Sequence, residues 1–192
     1  MSERIDYYFA PVSPWTYLGH ERFSRLAQAQ GAQLRVRPID LGQVFPVSGG
    51  LPLPKRAPQR QAYRLVELQR FARHLGLPLN PQPRHFPIPA DEASRLIIAV
   101  DRQDGTDAAM QLAGALLAAV WAQERNIADL AVLAEILQEQ GLSAQRLQDA
   151  RDPSVQAAYE AYTREAIEAG VFGAPSYVVD GEIFWGQDRL DF

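Results

Sequence analysis

Residues with the alternation of a β-strand fall only near the two ends of this chain. Ile5, Tyr7 and Phe9 alternate with Asp6 and Tyr8, and Leu34 and Val36 alternate with Arg35 and Arg37 ahead of Pro38. At the other end, Ser176 to Val179 and Glu182 to Trp185 are strand-like and flank Asp180-Gly181, a pair that signals a two-residue hairpin turn. Between Ile5 and Leu34, Ser13-Pro14 reads as an N-cap followed by proline at the first helical position, and Leu18, Phe23, Leu26 and Ala27 then recur at helical spacing up to Gly31. Asp152-Pro153 opens a second long helix in the same way, closed by Gly170. The spacing predicts helices over 59–75, 91–102, 107–123 and 130–137, with up to two further turns from Ser143. In the first of these, Tyr63, Val66, Phe71 and Leu75 mark one side; in the third, Met110, Ala113, Leu117, Val120 and Trp121 do. The proline- and glycine-rich stretch 42–58 is expected to be a loop.

This order, β-α-β, then many helices, then α-β-β, restricts the architecture. A parallel β-α-β unit crosses right-handedly, and a later hairpin can extend the same sheet. The expectation is an α/β fold with one small core formed by residues 1–45 and 150–192, and an all-helical insertion over 46–149.

Chemistry is narrowed first by what the sequence lacks. Its 192 residues contain no cysteine, so it has no disulfide, thiolate metal site or cysteine nucleophile of its own. Any thiol in its chemistry must arrive with a ligand. A formal net charge of -4 gives no bulk attraction to nucleic acid or an anionic membrane surface. No apolar run is long enough to span a bilayer, and "MSERIDYYF" lacks the basic and apolar regions of a signal peptide, so a cytoplasmic location is expected. His20, His74 and His85 show no metal-ligand spacing, and no metal site is assigned. One local exception to the acidic balance stands out: Lys55, Arg56, Arg60, Arg64, Arg70 and Arg73 face only Glu67 within residues 51–75. Such a patch is either a solvated helix face or a rim for anionic ligands.

A β-α-β unit, a helix and a hairpin approached through "GAPS" resemble the thioredoxin fold, in which a cis-proline lies beside the start of the first helix. Pro175 fits that place, and within the fold the segments resemble the DsbA-like branch, whose active-site helix opens Cys-Pro-His-Cys. Here the stretch reads Ser13-Pro14-Trp15-Thr16, with hydroxyls at both cysteine positions, so disulfide exchange is impossible. "DYYFAPVSPWTYLG" together with "GVFGAPSYVVDGEIFWGQDRL", and "AYRLVELQRFARHLGLPLN" in the insertion, are similar to the 2-hydroxychromene-2-carboxylate isomerases, relatives of the kappa-class glutathione transferases.

The resemblance implies a glutathione-dependent isomerase of aromatic catabolism that opens a hydroxychromene carboxylate to trans-o-hydroxybenzylidenepyruvate and returns glutathione unchanged. It implies that Ser13 hydrogen-bonds the glutathione thiol and favours its thiolate. A free thiol of pKa ~8.5 is only about 3% ionised at pH 7, and a hydroxyl donor at the positive end of a helix lowers that pKa. With no evident base beside it, Ser13 reads as a donor and not as a nucleophile. Ala174, just before Pro175, is implied to pair its backbone with the cysteinyl unit, and Gln187 and Asp188 to receive the γ-glutamyl end at the start of a last helix. Lys55 is a candidate for a further glutathione contact and Trp15 for the pocket of a small aromatic carboxylate. Relatives are commonly homodimers, and a homodimer is expected. Each position also has a bland reading: Ser13 and Asp188 as caps, Pro175 as a turn proline, Trp15 as core. Two further functional readings stay open, a kappa-like transferase and a non-catalytic thioredoxin-fold module that holds a peptide along Ala174 and Pro175.

Overall fold

The computed structural model describes residues 4–192; residues 1–3 of the expected first segment lie outside the described residues. Strand β1 (Arg4–Phe9) leads through helix α1 (Pro14–Ala29) to β2 (Gln33–Pro38), and α8 (Pro153–Glu168) leads to the hairpin β3 (Ser176–Val179) and β4 (Glu182–Trp185). Between them run α2 (Leu41–Ser48), a single 3₁₀ turn (Leu53–Lys55), α3 (Pro58–Leu75), α4 (Asp91–Asp104), α5 (Thr106–Trp121), α6 (Leu130–Glu139) and the one-turn α7 (Arg146–Asp149). The sheet order is β2-β1-β3-β4, with β1 parallel to β2 and antiparallel to β3. Asp180 and Gly181 both take positive φ, 49° and 85°, as a two-residue hairpin turn with the twist of its strands demands.

Successive residues of β1 point to opposite faces and split the interior into two layers. Tyr7 and Phe9 join Phe23 of α1, Val36, Tyr177 and the apolar faces of α4 and α5 in the main core. Tyr8 points the other way, into a smaller core with Ile39, Val44 of α2, Ala166 of α8, Val171 and Val178. A third cluster, Leu18, Leu68 and Ala72, fastens α3 to α1.

Two sequence expectations need correction. Part of the expected 42–58 loop is helix α2, which carries Pro46 in its interior. Asp40 caps its start by accepting from the Gly42 N–H at 2.7 Å, and Gly49 ends it at φ 75°. Full burial of Val44 and these two caps outweigh the hydrogen bond that a proline removes. On α3 the buried stripe is Leu68 and Ala72, whereas Tyr63 and Val66 are exposed. The helix touches α1 along a narrow line, and the aromatic and β-branched residues beside that line are left outside.

Beneath α1, the buried His20 Nε2 lies 2.8 Å from the Met110 carbonyl and its Nδ1 lies 3.0 Å from Tyr7 Oη. A carbonyl only accepts, so Nε2 carries the ring proton and Nδ1 accepts from the Tyr7 hydroxyl. Burial pushes the His20 pKa below its ordinary 6.5, with the Met110 bond pulling weakly the other way. The unfolded chain takes up a proton near pH 6.5 and the native chain does not, so this site contributes stability above that pH and loses it as pH falls through the window beneath 6.5. Melting temperature should therefore drop further between pH 7 and pH 5 in the wild type than in His20→Gln; parallel slopes would mean that His20 titrates alike in both states.

Candidate active site

α1 begins where β1 ends, and Ser13 at its N-cap is 6% exposed with extended backbone (φ -80°, ψ 123°). Ser13 Oγ accepts from the Thr16 N–H at 3.2 Å and donates to the Ala174 carbonyl at 3.3 Å. The cap reading of Ser13 thus holds geometrically, and its hydroxyl also reaches a residue 161 positions away. The sheet makes this contact possible: Tyr8 of β1 is in register with Ser176 of β3, so the segment before β3 comes to lie beside the segment after β1. The Ala174-Pro175 peptide is cis, as the resemblance implied, and Pro175 is buried. Among the described residues the Ala174 N–H donates to no acceptor, which leaves one free backbone donor beside a carbonyl held by a single hydroxyl.

Both Ser13 and Ala174 line a cleft of about 1480 Å³ that runs between α1, the α2–α3 connection, the start of α3, residues 86–88 and the β4 end. Gln187 lines it too and is buried; Arg22 of α1 donates Nη2 to the Gln187 carbonyl at 2.6 Å and also to its Oε1. The turn that holds Gln187 fits against α1 because position 19 is glycine: a Cβ there would sit 2.8 Å from Gln187 Cβ and 3.2 Å from Tyr177 Oη. Asp188 is exposed and accepts from Arg189 Nη1 at 2.9 Å. The implied last helix is not formed among the described residues: Gln187 and Asp188 belong to a turn closed by the Arg189 N–H on the Gly186 carbonyl at 3.3 Å. Asp188 and the turn's N–H groups are what the described residues present there.

Trp15 lines the cleft, its ring meeting Phe71 edge-on at 6.1 Å. Lys55 sits exposed on the 3₁₀ turn and is outside the lining, whereas Arg56, Arg60 and Arg64 are within it. Phe172 and Trp185, ring centroids 4.7 Å apart and both substantially exposed, form one rim. Sequence reading missed Arg22, whose partner is 165 residues distant, and Phe86 and Ile88, which stand in an interrupted segment without periodicity. Among the described residues no three His, Asp or Glu side chains gather as a metal-ligand set, and no helix is long and apolar enough to cross a membrane.

The DSBA-like thioredoxin domain family matches residues 4–192. A 2-hydroxychromene-2-carboxylate isomerase from Sphingobium xenophagum is 31% identical over 195 residues, covering 100% of this chain and 96% of its own. The chain belongs to the 2-hydroxychromene-2-carboxylate isomerase family of DsbA-like proteins. A solved structure of a 2-hydroxychromene-2-carboxylate isomerase superposes with a TM-score of 0.81 at 29% identity, covering 98% of this chain and 91% of that one. Glutathione S-transferase kappa 1 from Caenorhabditis elegans is 26% identical over 97% of this chain and 87% of its own. The isomerase and kappa-transferase relatives therefore align over nearly the whole length of this chain.

Proposed function

We propose that this protein is a glutathione-dependent isomerase that converts 2-hydroxychromene-2-carboxylate, or a related intermediate of aromatic catabolism, to the trans-hydroxybenzylidenepyruvate. The observation that carries the reading is the junction of Ser13 with Ala174 in the cleft wall of a chain that has no cysteine. The residues fit the tripeptide. The free N–H and singly bonded carbonyl of Ala174 can pair with a peptide backbone in the manner of an added strand, and Gln187 and Asp188 lie in the same wall for the γ-glutamyl end.

Bound glutathione would supply a nucleophilic thiolate and be returned unchanged, with Ser13, Ala174, Gln187 and Asp188 holding it. The chain's part is to hold and orient. Ser13 Oγ already accepts one N–H from the first turn of α1, so its own proton is free to turn from the Ala174 carbonyl to the sulfur and stabilise the thiolate there. Cations along α3 give the cleft a rim that favours anionic ligands, and Trp15 offers a ring face to an aromatic substrate. We extend the reading to a homodimer, on the resemblance, and to the cytoplasmic location expected from the sequence.

The kappa relative favours a second reading of the same site, conjugation of glutathione to an electrophile. Millimolar glutathione should raise the melting temperature by mass action, and a flat response would remove both glutathione readings and leave a peptide-holding module. With a hydroxychromene carboxylate added, free thiol should stay constant while the substrate absorbance changes. Thiol consumed in step with substrate would assign the transferase.

A further inference from the structure

Arg56, just before α3, and Arg60 and Arg64 in its first two turns line the cleft, the last two on one helical face. Their charges press on one another. Burial lowers the Arg56 pKa and Arg60 lowers it further; burial and Arg56 bring Arg64 down to about 10, so it remains charged at neutral pH. The two acidic side chains in the lining do not relieve them. Glu67 accepts from Arg70 at 2.7 Å, and Asp188 from Arg189 at 2.9 Å.

Arg56 has an acceptor of its own, the Leu51 carbonyl at 2.7 Å. Arg64 differs. Its guanidinium carbon lies 5.5 Å from the Phe86 ring centre and 5.7 Å from that of Trp121, and among the described residues none of its N–H groups reaches an acceptor. Two aromatic rings thus flank a half-buried cation whose guanidinium donors have no partner among the described residues, beside a cleft wall that also presents Phe86, Phe71 and Trp15. A carboxylate answers such a donor fork bidentately, and flat apolar surface suits the ring behind it.

We propose that Arg64 is the specificity-determining anchor for the carboxylate of an aromatic substrate, so that the cleft selects aromatic acids over neutral aromatics of the same shape. The inference rests on the reading above only in taking this cleft as the reacting pocket. The glycyl end of glutathione is the other carboxylate that could reach Arg64, and the test separates the two. Titration calorimetry with cinnamate, cinnamamide and glutathione on the wild type, Arg64→Gln and Arg64→Lys gives each affinity without turnover. Wild type should prefer cinnamate to cinnamamide at least tenfold, Arg64→Gln should abolish the preference, and Arg64→Lys, which keeps the charge and the stem over Phe86, should retain part of it. Glutathione affinity should change by no more than about twofold in either variant. A preference that survives Arg64→Gln, a wild type with none, or a variant that weakens glutathione and spares cinnamate would each overturn the assignment. A wild type that prefers cinnamate and ignores glutathione would instead remove the glutathione reading and leave Arg64 in its role.

Discussion

Ser13→Ala is expected to lower kcat/KM for the glutathione-dependent isomerisation by about 10²-fold or more while the fold loses only a helix cap, about 1 kcal/mol. The two effects differ because the Ser13 hydroxyl has two separable bonds. Acceptance from the Thr16 N–H stabilises α1, and donation, now to the Ala174 carbonyl, is what the sulfur would use. The pH profile adds a readout that capping cannot move. In the wild type the rate should level off below the thiol's ordinary pKa of ~8.5, and in Ser13→Ala the rise should shift up towards it. Ser13→Thr, which keeps a hydroxyl, should fall between. A variant that melts earlier yet turns over normally would reduce Ser13 to its cap.

The second large effect is expected at a residue that touches no reacting atom. Arg22→Leu should raise the KM for glutathione at least tenfold and leave kcat at saturating glutathione within about threefold. Arg22 holds both the carbonyl and the side-chain oxygen of Gln187, and hydrogen bonds from a charged donor contribute about 1.5–3 kcal/mol each. Without them the close packing at Gly19 is left to hold the turn that presents Gln187 and Asp188 against α1. Arg22→Lys, with one point donor in place of a fork, should recover part of the affinity. A loss confined to kcat would show that Arg22 supports the reaction and not the turn.

Period and turn chemistry made most of the framework legible. Asp180-Gly181 located the hairpin, and the two cap-proline pairs placed the starts of α1 and α8 at Pro14 and Pro153. Stretch 42–58 was misjudged because proline content describes what a backbone resists, while α2 exists for what Val44 buries and for the caps at Asp40 and Gly49. Tyr63 and Val66 were misplaced for a related reason: periodicity shows that a helix has an apolar side but not how wide a strip its neighbour covers. At the site, Ser13 and Ala174 were legible through their segments' resemblance to a family, and the structure brings them into contact. Arg22 and the segment at Phe86 were not, since their importance comes from partners far off in the chain. Arg64 was visible as one charge among six, and its seat over Phe86 and Trp121 in the cleft lining sets it apart.

The position of β1 between β2 and β3 has a consequence for how the protein is made. One neighbour of β1 follows within thirty residues, but the other begins at Ser176. At about 5–20 residues per second, a ribosome needs on the order of ten seconds or more to supply it, and through that interval one edge of β1 stays open to stray pairing. The hydroxyl at position 13 meanwhile has no Ala174 to face. Synthesis of the final hairpin therefore closes the sheet and assembles the cleft together, so a truncated nascent chain would lack both a complete sheet and a place for a thiol to bind.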